Sequence, residues 1–117
     1  MSRSPRDRLR DIHAAIGKVN EFRRSLDDPH SDMALSVVLR EIGIVGEAVN
    51  ALPASVTSRR PEIPWRQIAA MRNFLIHEYF DIDATIVDDV IANDMDPLSV
   101  AVTALLAEED TTDDRQS

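Results

Sequence analysis

Apolar residues recur every three or four positions along most of this chain, a period that predicts helices and no strands. Leu9, Ile12, Ile16, Val19, Phe22 and Leu26 trace one stripe and set a first helix from about Pro5 to Leu26. The polar run Asp27-Asp28-Pro29-His30-Ser31-Asp32 ends it and offers caps for the next helix. That second helix, about Ser31 to Leu52, is apolar on two stripes. Leu35, Val38, Ile42, Val45, Val49 and Leu52 form one, and Ala34, Val37, Ile44, Ala48 and Ala51 broadly form the other. Only Ser36, Arg40, Gly43, Glu47 and Asn50 are left for water, which predicts a helix at the centre of a bundle or at an interface.

Pro53, Pro61 and Pro64 break the chain into a connector in which Ala54–Arg59 can form a single turn. Pro64 suits the first turn of a third long helix, expected to run to Phe80. Asp81-Ile82-Asp83 then breaks and caps, Ala84–Ala92 reads as a short helix, and Asp96-Pro97 reads as the start of a last helix ending near Glu109. The expected fold is all-α: an antiparallel four-helix bundle with one or two short extra helices. It should form one domain over residues 1–109, followed by a disordered acidic tail over 110–117.

Composition changes this picture little. With 44% hydrophobic residues the chain has the content of a globular protein, and aromatics are so few that Ile, Leu, Val, Ala and Met must fill the core. No apolar run approaching the ~20 residues of a membrane span is evident. The N-terminus has no apolar stretch behind its charges, so no signal peptide is expected. Cysteine is absent, which fits a cytoplasmic location without establishing one.

Charge changes it more. A net charge of −8 is unfavourable for a protein that handles nucleic acid, but the charge is segregated. Residues 1–80 carry 12 of the 13 Lys and Arg against 10 acidic residues, whereas residues 81–114 carry 11 acidic residues and no basic one. The acidic part is expected to be mainly a solvated surface, with repulsion of nucleic acid or docking of a basic partner as alternatives.

The candidate chemistry lies at the end of the balanced part, in Arg72-Asn-Phe-Leu-Ile-His-Glu-Tyr79. Arg72 can neutralise a phosphate oxygen through a bidentate hydrogen bond, and His77 is the side chain best suited to pass protons near neutral pH. Together they point to attack on a phosphodiester without a metal ion and without a cofactor. At about 100° per residue, Asn73 and His77 share a face turned away from the core direction of Ile68, Met71 and Leu75, with Arg72 on its flank and Tyr79 above Arg72. Each residue also has a plainer reading: a surface histidine, a salt-bridged arginine, a tyrosine at the core edge. Glu47 is a candidate acid or base, or a carboxylate that orients Arg72 across the helix pair. His13 and His30 have no neighbours that would make them ligands and are read as structural.

The Arg-x4-His-x-Tyr pattern resembles the signature of HepT-like toxins of the HEPN superfamily. Ile44-Val45-Gly46-Glu47-Ala48 resembles the Gly-Glu-Ala turn of that family's second helix, and Pro64 to Met71 resembles its approach to the motif, with Ala70 where the family usually has Gly. The similarity covers about residues 7–108. It implies a helical homodimer acting as a metal-independent endoribonuclease toxin in a type VII-like toxin–antitoxin pair. Arg72 and His77 would be the catalytic pair, Asn73 and Glu47 their support, and Tyr79 the residue adenylylated by a minimal nucleotidyltransferase antitoxin. RNA, with transfer RNA one candidate, would be the substrate. The antitoxin would be the protein partner, in a dimer or a larger hetero-oligomer, with no membrane involved. The competing expectation is a non-catalytic HEPN dimer that binds nucleotide or scaffolds a nucleotidyltransferase.

Overall fold

A computed structural model describes residues 3–27, 32–77 and 84–116, with backbone alone at 27, 72, 74–77, 84–86 and 110–116. Helix α1 spans Pro5–Arg23 and is followed by a 3-10 turn, Arg24–Asp27. Ser4 caps α1 by accepting from the Asp7 amide at 3.1 Å, and Pro5 occupies its first turn, where a missing N–H costs nothing. Helix α2 spans Asp32–Asn50. A single turn, α3 at Ala54–Thr57, leads to α4 at Trp65–His77. Pro64 stands just outside α4 and accepts the Ile68 amide at 3.0 Å, so the proline precedes the helix by one position instead of opening it. Helix α5 (Ala84–Val90), a π-helical turn (Ile91–Met95) and helix α6 (Asp96–Gln116) follow without interruption.

Helix α2 is the centre of the bundle, packed on α1 along one side and on α4 along another, while α1 also meets α6. Its wet stripe is the expected one: Ser36, Arg40, Glu47 and Asn50 are exposed and Gly43 half-exposed. The second apolar stripe is covered only in part, since Ala34 and Ala48 are buried but Val37 and Ile44 are half-buried. The core joins Leu9, Ile12, Ile16 and Val19 of α1 to Val38, Ile42, Val45 and Val49 of α2, Ile68 of α4, and Ile91, Met95, Leu98, Val102 and Leu105 of the last helix. Among the described residues nothing polar or charged is buried. Side chains of this size each contribute about 1.5–3 kcal/mol when removed from water, so burial against α1 and α4 at once fixes the position of α2.

Two expectations about the C-terminal third are corrected. Asp96-Pro97 does not open a separate helix. The Asp96 amide bonds the Ile91 carbonyl, five residues back, so a π turn carries the helix through Pro97. A proline has no amide for the carbonyls one turn before it; Ala92 and Asn93 are exposed, and water can serve theirs. The helix also runs beyond Glu109 to Gln116, where a disordered tail was expected; residues 110–116 contain no Gly or Pro to stop it.

With the break removed, Val87–Glu109 is long and apolar enough to cross a membrane by length and composition alone, contrary to the reading of separate short segments. Its stripe of Val87, Ile91, Met95, Leu98, Val102 and Leu105 is instead buried in the core. From 84 to 116 this helix is about 50 Å long at ~1.5 Å per residue, which accounts for the molecule's 51 Å long axis.

Candidate active site on helix α4

Helix α4 is unbroken from Trp65 to His77, so Arg72, Asn73 and His77 lie on one rigid element. Ile68 and Met71 are buried and fix the side that faces the core. Taking Arg72 as zero, these two lie at about 320° and 260°, and the direction opposite them is about 110°. Arg66, Ala70 and Asn73, at about 120°, 160° and 100°, are all exposed, as that direction requires. Position 77, at about 140°, belongs to the same stripe. Arg72 stands on the flank between stripe and core. The helix therefore holds Asn73 and His77 as neighbours one turn apart, and presents Arg72 about 140° away around the axis. For an arginine and a histidine so placed to meet one phosphate, the long Arg72 side chain must fold around the helix or a second subunit must complete the site. Tyr79 lies outside the described residues, as does His30.

Glu47 lies on the exposed stripe of α2. Its exposed carboxylate borders a shallow depression with Ile44 and Ala48 of α2 and Arg3, Arg8 and Asp11 at the start of α1. Asp11 is paired there with Arg3 at 2.8 Å, and Glu47 has no ion-pair partner within 4 Å among the described residues. It borders the cations Arg3 and Arg8. His13 is exposed on α1, away from α4. Among the described residues no three His, Asp or Glu side chains converge to hold a metal ion.

The acidic C-terminal third finds its basic partner inside the chain. Arg59, just beyond α3, donates to Glu108 at 3.1 Å and to Glu109, and Arg60 donates to Glu108. Arg23, at the end of α1, reaches Asp96 at 3.1 Å. The connector before α4 is thus clamped to α6, and part of the negative charge that weighs against a nucleic-acid partner is neutralised internally. Arg60 further anchors α4, because its carbonyl accepts the Trp65 indole N–H at 2.9 Å. The sequence carried the raw signal for this clamp, Arg59-Arg60 against Glu108-Glu109, but not the proximity of the two segments.

The model of the ribonuclease HepT-like family matches residues 12–105, a stretch that holds α4, Glu47 and the whole Arg-x4-His-x-Tyr segment. The chain belongs to the HepT-like ribonuclease family. Among HepT-like relatives, "Probable ribonuclease HepT" of Thermococcus cleftensis is 38% identical over 84% of this chain and 92% of its own length. A "Putative RNase" of Caldanaerobacter subterraneus subsp. tengcongensis is 35% identical over 73% of this chain and 77% of its own. Another of that designation, from Methanocaldococcus jannaschii, is 30% identical over 72% and 78%. Solved structures give no match. The fold and the family agree: this is an all-helical HEPN-type ribonuclease domain.

Proposed function

We propose that this HepT-like chain is the toxin of a toxin–antitoxin pair, a cytoplasmic endoribonuclease that cuts RNA without a metal ion, using His77 and Arg72. The observation that carries this reading is the exposed stripe of α4, which keeps Asn73 and position 77 on the face opposite the buried Ile68 and Met71. A proton-transfer group on a rigid helix, turned away from the core, is available to a polymer substrate.

In the reaction, a ribose 2′-oxygen attacks the adjacent phosphorus and gives up its proton to a base. The bond from phosphorus to the 5′-oxygen breaks, and that oxygen takes up a proton. His77 serves one of these transfers. Arg72 stabilises the charge that builds on the non-bridging oxygens as the fifth bond forms. A homodimer brings two copies of His77 together, so one can act as base and the other as acid. Asn73 beside them can donate to a phosphoryl oxygen or to the ribose.

Silencing is assigned to Tyr79 of the same segment. Adenylylation of Tyr79 by a nucleotidyltransferase antitoxin adds a phosphodiester anion and a nucleoside two residues from His77 in sequence, which would repel the RNA backbone and crowd the substrate. Tyr79→Phe should remain toxic on expression and escape neutralisation by the cognate antitoxin, whereas wild type should be neutralised. Growth curves of both variants with and without the antitoxin check this; a Tyr79→Phe protein still silenced by modification would remove Tyr79 from the account.

A further inference from the structure

A hollow of about 420 Å³ lies at the start of α4, bordered by Thr57, Ile63, Pro64, Trp65, Arg66 and Gln67. It is of a size that takes a small organic group. Trp65 is half-buried: part of the indole packs against the core, its N–H is fixed on the Arg60 carbonyl, and its remaining surface lines the hollow. Arg66 is exposed and, among the described residues, has no carboxylate within 4 Å. Its neighbours in sequence, Arg59 and Arg60, are both engaged with Glu108 and Glu109, so Arg66 is the cation of this corner left facing solvent. The exposed Gln67 amide and the Thr57 hydroxyl add donors and acceptors at the rim.

We infer that this hollow is a nucleotide subsite for the RNA strand whose cleavage is proposed for His77, an inference that rests on that ribonuclease reading. A base lies against the indole of Trp65, and the phosphate next to it is held by Arg66. Stacking of a base on an aromatic ring, with a neighbouring cation on the backbone, is how proteins hold single-stranded RNA without needing its sequence. The alignment supports it. Arg66 belongs to the same exposed stripe of α4 as Asn73 and position 77, so a strand lying along the helix meets the hollow and the catalytic group in turn. Eleven residues of helix separate Arg66 from His77, about 17 Å. That is about five nucleotides of a stacked strand at ~3.4 Å each, and fewer of a splayed one. The rigid anchoring of the indole means that little side-chain entropy is lost on binding.

The protein contains one tryptophan, so the subsite can be read directly. A full-length His77→Ala protein, which cannot cut, is titrated with a single-stranded RNA of ten nucleotides while tryptophan fluorescence and filter retention are followed together. The expected result is quenching that saturates with the same midpoint as retention. Arg66→Ala in that background should weaken binding about tenfold, the loss of one charge-assisted contact, and lower the dependence of log affinity on log salt by about one. Retention without quenching, or an Arg66→Ala protein that binds as tightly, would overturn the subsite and leave the ribonuclease reading standing. RNA held in neither assay would remove both.

Discussion

At the scale of single residues, the site depends on one helical turn and its flank. His77 and Asn73 are neighbours through the helix, but Arg72 reaches them only by folding around it or across a subunit boundary. This makes the shape of the arginine as important as its charge. A guanidinium grips two phosphoryl oxygens at a fixed angle, and an ammonium does not. Arg72→Lys should therefore lower the rate of RNA cleavage by about 10²-fold or more, near the loss for Arg72→Ala, because a transition-state contact of this type is worth that much. Single-turnover cleavage of a labelled RNA would check it, and a lysine variant within a fewfold of wild type would mean that Arg72 only attracts substrate. The faces of Arg66, Ala70 and Asn73 on α4 were legible in the sequence, because helical period alone assigns each to the side away from Ile68 and Met71. For Glu47 the period gave the wet stripe of α2, and the packing of α1 against α2 adds that Arg3 and Arg8 lie beside it. The hollow beside Trp65 was hidden, since it arises where the connector folds back on α4.

At the scale of elements, α1 and the first stripe of α2 largely follow the apolar period, the second stripe of α2 is covered only in part, and the C-terminal third departs from the expected breaks. An Asp-Pro pair is the same local signal whether it opens a helix or lies within one, and long-range packing decides. Here Ile91, Met95 and Leu98 are all buried, and a regular helix across Pro97 would leave a carbonyl facing the proline ring. The π turn resolves both demands by adding one residue to the turn. It also brings Asp94 partly out of water, and that burial raises its pKa above the ordinary 3.8. A carboxyl whose pKa is raised by folding favours the folded state below its unfolded pKa, and that contribution is lost as pH rises through the folded value. At neutral pH the ionised Asp94 therefore opposes folding. Asp94→Asn should be at least as stable as wild type at pH 7, with the difference shrinking as the pH falls toward 3.8. Urea midpoints across that range would show it; an asparagine variant less stable at pH 7 would mean that the carboxylate makes a contact the helix needs.

At the scale of the whole molecule, the charge distribution that looks hostile to RNA is rearranged by folding. Acidic residues of the last helix are matched with Arg23, Arg59 and Arg60, while α4 exposes Arg66 and Asn73 on the face to which helical period also assigns position 77. In the proposed reaction each chain offers only His77 for two proton transfers, which is the reason to expect cooperation between two copies. In a mixed dimer of one wild-type and one His77→Ala chain, cleavage should fall well below half of wild type, because neither site retains both acid and base. Co-purified dimers carrying two different tags would allow that rate to be measured, and half of wild-type activity or more would place both transfers within a single subunit.

The most direct measurement is RNA cleavage by the purified protein. Wild-type and His77→Ala proteins, both confirmed folded by circular dichroism, are incubated with total and transfer RNA in excess EDTA and the products separated on a gel. The account predicts defined new fragments with wild type, undiminished by EDTA, and intact RNA with His77→Ala. Intact RNA with wild type, equal cleavage by the two proteins, or cleavage abolished by EDTA would contradict it.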